Sequence, residues 1–184
     1  KSQMVDVDPV IVSQGIKDIL DSSKTLLTTE QVQEIIMGFQ KQLMAKQQET
    51  MKTSGEKNQK DGEAFLAANK NKEGVISLPN GMQYKVITMG TGKKPKATDT
   101  VTVHYQGTLI DGKEFDSSFK RGEPATFPLN QVIKGWTEGL QLMPVGSKFQ
   151  FFIPSELGYG DRGAGQLIQP NSTLIFEVEL LSVK

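Results

Sequence analysis

Apolar positions recur at helical spacing up to about residue 70 and alternate at strand spacing beyond it. Val12, Ile16, Ile19 and Leu20 form the first stripe. Asp8 ahead of them can cap a helix, and Pro9 suits the first helical position, where no backbone N–H is needed. A second start stands at Thr28. Thr28 and Gln31 have the spacing of a capping box, Leu27 and Val32 that of a hydrophobic staple. Val32, Ile35, Ile36, Phe39 and Leu43 then keep the helical period. The stripe fades after Met51, and residues 52–63, KTSGEKNQKDGE, are polar on every side. Such a segment reads as a solvent-bridging connector or as no helix at all. Apolar residues return at Ala64, Phe65, Leu66 and Ala68. The pattern predicts one helix from about Thr28 to about Asn69, roughly 60 Å long. Two helices broken at Gly55 or Gly62 are the alternative reading.

From about Glu73 the period becomes two. Val101, Val103 and Tyr105 alternate with Thr102, His104 and Gln106; Phe149, Phe151 and Ile153 with Gln150 and Phe152; Leu174, Phe176, Val178 and Leu180 with Ile175, Glu177 and Glu179. Each is a strand with one apolar face. Asp111-Gly112, between Leu109-Ile110 and Phe115, signals a hairpin. The convincing helix of this half is QVIKGWTEG, residues 131–139. It places Val132, Ile133, Trp136 and Leu140 on one face, and Gly135 and Gly139 leave room for close approach to a sheet or a ligand. The expected class is α+β: helices and a long connector over residues 1–72, then an antiparallel half-barrel sheet around one short helix over residues 73–184.

Composition narrows the function. Lys+Arg and Asp+Glu are both 21 in 184 residues, and no basic stripe stands out, which excludes nucleic acid as the expected partner. No apolar run is long enough to span a bilayer. Cysteine is absent and histidine occurs once, so neither a disulfide nor a transition-metal site is expected. Beginning at Lys1, the chain reads as processed or trimmed, with any targeting signal removed.

Hydrolytic machinery finds little support. Asp111, Glu114 and Asp116 cluster, but a turn beside a strand carries acids because it is solvated. Ser117 and Ser118 follow, with His104 the sole imidazole; strand alternation turns His104 away from Tyr105 and the apolar face. The glycines of GYGDRGAG, residues 158–165, match no phosphate-binding loop. What remains is an excess of aromatics: Tyr105, Phe115, Phe127, Trp136, Tyr159 and Phe176. A packed core is the plain reading. Asp116 argues for more, since a carboxylate at the rim of an aromatic pocket is costly unless paired, and Arg121 and the Tyr105 hydroxyl can pair it.

VTVHYQGTLIDGKEFDSS, VIKGWTEGL, GYG and the closing TLIFEVELL, in this order and at these separations, resemble the FKBP-type peptidyl-prolyl cis-trans isomerases over about Glu73 to Lys184. The helical part, ending GEAFLAANKNKEGVISLPNGMQYKVI, resembles the bacterial Mip-like subgroup. The resemblance implies Trp136 as the floor of a proline pocket and Tyr105, Phe115, Phe127, Val132, Ile133 and Phe176 as its walls. It implies Asp116 as the polar acceptor held by Tyr105 and Arg121, Tyr159 as a hydroxyl meeting the ligand carbonyl, and the Ile133 N–H as a second donor. Asp116, Tyr159, Tyr105 and Phe115 are thus the catalytic candidates; Phe127, Val132, Ile133, Trp136, Phe176, Arg121 and Leu167 are the substrate-binding ones. No cofactor and no metal are implied. Expected partners are proline-containing peptides, unfolded proteins, macrolide inhibitors of the FK506 and rapamycin type, and a second copy bound through the N-terminal helices. The expected location is the periplasm or outer surface of a Gram-negative bacterium. Ala125 stands where many members have an aromatic, and Gln169 where proline is common, so the rim reads as wider. A non-enzymatic chaperone or adhesin that only grips prolines is the rival; a lipocalin-like carrier fails on strand count.

Overall fold

The computed structural model describes residues 8–21 and 27–184. Helix α1, Pro9–Leu20, starts where Asp8 caps it: the carboxylate accepts from the N–H groups of Val10 and Ile11 at 2.8 and 3.4 Å. Helix α2, Thr29–Asn69, opens with a reciprocal capping box. The Thr28 N–H donates to Gln31 Oε1 at 2.9 Å, and the Gln31 N–H to Thr28 Oγ1 at 3.3 Å. The helix runs unbroken through Gly55 and Gly62, so the two-helix alternative falls.

The chain divides into two compact units, Lys1–Gln48 and Glu49–Lys184, with the boundary inside α2. In the first unit, Val10, Ile16, Ile19, Ile35, Ile36 and Phe39 are exposed. In the second, residues 52–63 are not a plain solvent-bridging connector. Gly55 and Gly62 are buried, and Asn58 Nδ2 donates to the Pro170 carbonyl at 2.9 Å. Further along, Phe65 lies on Phe152 with ring centroids 6.0 Å apart, and Asn69 Nδ2 donates to Gln83 Oε1 at 2.9 Å. Glycines and amides dock this polar stretch on residues 170–173.

Seven strands follow: β1 Val75–Ser77, β2 Gln83–Thr88, β3 Thr100–Leu109, β4 Glu114–Ser117, β5 Ala125–Pro128, β6 Lys148–Ile153 and β7 Leu174–Val183. They form one sheet in the order β1-β2-β6-β7-β3-β4, with β5 also on β3 and every pairing antiparallel. Strands β4 and β5 share β3 because a four-residue helix, α3 Ser118–Arg121, turns the chain between them; alternation gave no sign of it. Ser117 caps α3, and Gly122 ends it at φ 78°, a conformation glycine reaches without steric cost. The predicted hairpin forms at Asp111-Gly112.

The inner face of the sheet carries Val101, Val103, Phe149, Phe151, Ile153, Leu174, Val178 and Leu180, all at most 1% exposed. Helix α4, Lys134–Leu140, covers it. A Cβ on Gly135 would come within 2.6 Å of Ile153, and one on Gly139 within 2.8 Å of Phe151. These glycines let the helix backbone lie against β6, which fixes where Trp136 sits. Phe152, placed by alternation on the opposite face, is also buried, because Phe65 of α2 covers it.

Candidate active site

The inner face and α4 enclose a cavity of about 490 Å³. Tyr105 of β3, Phe115 and Asp116 of β4, Phe127 of β5, Phe176 of β7 and Trp136 of α4 line it. Gln131, Val132 and Ile133 reach it from the turn before α4; Tyr159, Ala164, Gly165 and Ile168 reach it from the loop joining β6 to β7. Trp136 is 4% exposed and ringed by nearly perpendicular aromatics: Tyr105 at 5.1 Å, Phe127 at 5.6 Å and Phe176 at 5.3 Å between centroids. Edge-to-face packing suits the ring quadrupoles and leaves each ring little freedom. Phe115 packs edge-on against Phe176 at 5.4 Å, in space that Gly107 leaves open; a Cβ there would approach Phe115 to 2.6 Å. The indole Nε1 is the one buried side-chain N or O without a hydrogen-bond partner among the described residues.

One charged group touches this apolar space. The Asp116 carboxylate accepts hydrogen bonds from the Tyr105 hydroxyl and the Arg121 guanidinium, and Arg121 NH2 also lies 2.9 Å from the Tyr105 oxygen. Burial raises the Asp116 pKa, but the hydrogen bonds from Tyr105 and Arg121 outweigh it and hold the carboxyl below the ordinary aspartate range. Tyr105 is pushed up, first by burial and then by donating to Asp116; Tyr159 is pushed up by burial and by the Asp116 charge. The site thus holds a carboxylate that stays ionised and two phenols that stay protonated around neutral pH. It contains no proton acceptor tuned for neutral pH.

The hydrolytic alternative fails on the same geometry. His104 Nδ1 lies 3.0 Å from Ser118 Oγ, but Ser118 is fully buried, and its hydroxyl bonds the backbone N–H and carbonyl of Tyr105. His104 stacks on Phe119 at 4.7 Å and is not among the residues lining the cavity. Glu114 is occupied by Lys120 at 2.7 Å.

Nine of the eleven sequence candidates therefore border the cavity: Tyr105, Phe115, Asp116, Phe127, Val132, Ile133, Trp136, Tyr159 and Phe176. Arg121 acts on it through Asp116 and Tyr105. Leu167 does not line it. It sits in the turn between Ala164 and Ile168, whose backbones pair, and is 38% exposed; Ile168, at 8%, is the apolar wall of this loop. Ala164 and Ile168 flank a tight turn through Gly165 at φ 56°, and such a bridge directs the paired residues together to one side.

The chain matches known proteins along its whole length. Residues 91–181 match the profile of the FKBP-type peptidyl-prolyl cis-trans isomerases, and residues 1–86 that of the domain amino-terminal to them. The chain belongs to the FKBP-type peptidyl-prolyl cis-trans isomerases. The outer membrane protein MIP of Legionella longbeachae is 50% identical over 184 residues, which span all of this chain and 79% of that protein. FkpA of Aeromonas hydrophila, an FKBP-type isomerase, is 54% identical over 98% of this chain and 66% of its own length. The crystal structure of FkpA from Escherichia coli matches with a TM-score of 0.80 at 39% identity, covering 98% of this chain and 84% of that one. This FKBP-type isomerase, closely related to the bacterial Mip and FkpA proteins, catalyses rotation about X–Pro peptide bonds. Its fold is the FKBP half-barrel preceded by a long helix.

Proposed function

We propose that the aromatic cavity holds the prolyl ring while the preceding amide turns, and that it does so without acid–base or covalent chemistry. One observation carries this reading: the cavity is apolar, floored by Trp136, and its single carboxylate is already paired with Arg121 and hydrogen-bonded by Tyr105. The X–Pro bond rotates over a barrier of roughly 18–20 kcal/mol set by the double-bond character of the planar amide. Exchange needs no bond to break. The planar amide is more charge-separated than the twisted one, so a dry cavity disfavours the ground state relative to the transition state. Trp136, Phe127 and Phe176 provide the surface for the ring. Tyr159 and the Ile133 N–H, which has no protein acceptor among the described residues, supply donors that hold the flanking carbonyls during the turn. Asp116, fixed by Tyr105 and Arg121, presents a constant negative edge to the rotating carbonyl carbon.

The same reading assigns residues 73–184 to catalysis and residues 1–72 to dimerisation and connection. The exposed apolar residues of α1 and of α2 before Glu49 support a second copy of the chain as their partner. The relatives support a periplasmic or outer-surface location, with unfolded, proline-containing proteins as substrates. The aromatic lining of the cavity supports rapamycin-type macrolides as its inhibitors.

The test is a protease-coupled assay on a short proline peptide. Trp136→Ala removes the floor and a core side chain, an expected stability loss of about 3–5 kcal/mol. Turnover should fall by more than about tenfold in the fraction that folds, and Trp136→Phe should recover part of it. Asp116→Ala should lower turnover by more than about tenfold, since Tyr105 and Arg121 lose their shared acceptor. Wild-type rates in both folded alanine variants would refute the assignment. Turnover should also be flat between about pH 5 and about pH 9, because Asp116 is shifted down from about 4 and both tyrosines up from about 10. With its folded pKa lowered, the Asp116 contribution to stability is present above the unfolded value and disappears as pH falls through the folded one.

A further inference from the structure

The loop joining β6 to β7 supplies four of the residues lining the cavity: Tyr159, Ala164, Gly165 and Ile168. Its internal ties are mostly local. Ala164 and Ile168 exchange backbone hydrogen bonds at 2.8 and 3.1 Å, and the Asn171 N–H donates to the Gly160 carbonyl at 2.8 Å. Ser172 Oγ donates to the Gln169 carbonyl at 2.7 Å, and Gln169 Nε2 to the Gln166 carbonyl at 3.3 Å. A further restraint, from outside the loop, comes from α2. Asn58 Nδ2 donates to the Pro170 carbonyl at 2.9 Å, and Asn171 Nδ2 donates to the Gly55 carbonyl at 3.4 Å. Asn171 holds φ 55°, the one non-glycine residue with positive φ among the described residues. Its backbone grips the start of the loop at Gly160 while its side chain grips the helix. Two glycines set the approach. A Cβ on Gly55 would lie 3.1 Å from Pro170, and one on Gly62 would overlap Thr173 Oγ1.

A simple tether does not need this arrangement. Burial of apolar area already holds the helix farther along, where Phe65 covers Phe152, and the amides of Asn69 and Gln83 pair there. The Gly55–Gly62 stretch carries no apolar side chain. It offers two bare backbone surfaces and one amide, all directed at the carboxyl-terminal end of a cavity-lining loop. Small displacements of groups that orient a substrate are costly: about 1 Å can lower a rate about a hundredfold.

We propose that Gly55, Asn58 and Gly62 of α2 are positioning residues for the isomerase site. Gly55 and Asn58 hold Pro170 and Asn171 in place, Gly62 seats Thr173, and through these the helix sets how closely Tyr159 and Ile168 approach a bound proline segment. Helix α2 is then part of the binding site's support. This inference rests on the cavity being the site of isomerisation.

The test uses the full chain with Asn58→Ala, Gly62→Ala and the double variant Gly62→Ala with Thr173→Ala. Values of kcat and KM on a short proline peptide are measured well below each variant's melting temperature. Asn58→Ala and Gly62→Ala are expected to raise KM by about three- to tenfold with kcat within about twofold, because the β-sheet walls and Trp136 stay in place. Removing Thr173 Oγ1 makes room for the alanine at position 62, so the double variant should return KM to within about twofold of wild type. A purely structural contact would lower the melting temperature and leave KM unchanged, and that result overturns the proposal. A rise in KM that the double variant does not reverse overturns the role of Gly62. If Gly62→Ala fails to fold, Asn58→Ala, which adds no atom to the interface, decides the question by the same criterion. Should Trp136→Ala retain wild-type turnover, the cavity reading has failed instead, and that outcome is distinct from unchanged KM at position 58.

Discussion

The two stretches of helix α2 invert the usual link between composition and burial. Before Glu49 the helix carries Val32, Ile35, Ile36, Phe39 and Leu43 at helical period, and all of them are exposed. From Lys52 to Glu63 it is polar on every side, yet Gly55 and Gly62 are buried there, as is Asn69 at the helix end. An apolar stripe states a need for cover without saying where the cover comes from. In this chain the described residues do not provide it, which is why a second copy is the proposed partner. The polar stretch docks by a different device, glycines where the side chains of Pro170 and Thr173 must lie against the helix backbone and amides where a carbonyl must be satisfied.

The largest expected difference lies between two truncations. A chain starting at Glu49 should keep its melting temperature within a few degrees of the full chain and its short-peptide turnover within about twofold, since it is the compact unit. A chain starting at Glu73 loses the Phe65 cover on Phe152 and the Asn69–Gln83 amide pair. It should still fold on its sheet and α4, but melt about 10 °C lower, as a loss of roughly 2–4 kcal/mol implies. Equal melting temperatures would mean that the second stretch of α2 is only a leash.

Next in size is an effect confined to large substrates. Ile36→Glu with Phe39→Glu should leave short-peptide turnover unchanged and turn an associated species into a monomer by sedimentation. Catalysis of a proline-limited refolding reaction should fall by about tenfold, because an unfolded chain shows its prolines briefly and a second holding surface raises their effective concentration. Unchanged sedimentation and refolding rates would leave the exposed stripe without its proposed role.

The smallest effects compare two polar pairs on the second stretch. Asn69→Ala, which leaves the buried Gln83 Oε1 without its donor, should cost about 1–3 kcal/mol by denaturant titration. Lys57→Ala, which breaks the exposed pair with Asp61, should cost at most about 0.5 kcal/mol. Comparable losses would show that burial is not what separates these contacts.

Local signals in the sequence were legible, and features depending on distant partners were not. Asp8, Thr28 and Gln31 declare helix starts because a cap is satisfied within three residues, and β3, β6 and β7 declare themselves by alternation. The Trp136 helix was readable because Gly135 and Gly139 flank an aromatic at helical spacing. Gly55 and Gly62 looked like breaks, since the penalty of a mid-helix glycine is local while its benefit lies at Pro170 and Thr173, more than a hundred residues away. Phe152 alternates with the inner face, and only Phe65 explains its burial. Helix α3 is too short to show a period. In the β6–β7 loop, Leu167 and Ile168 are chemically alike, and only the backbone pairing of Ala164 with Ile168 tells which one meets the cavity.

Trp136 is the sole tryptophan of the chain, and it lies at the floor of the cavity with Tyr105 against it. The molecule therefore carries its own optical reporter. Red-edge excitation selects one indole whose surroundings change when a guest displaces water above it, so emission reads occupancy of the cavity with no label attached. Light scattering from the same sample reads association of chains. A compound can thus be sorted in one cuvette as a guest of the cavity, a disruptor of assembly, or both.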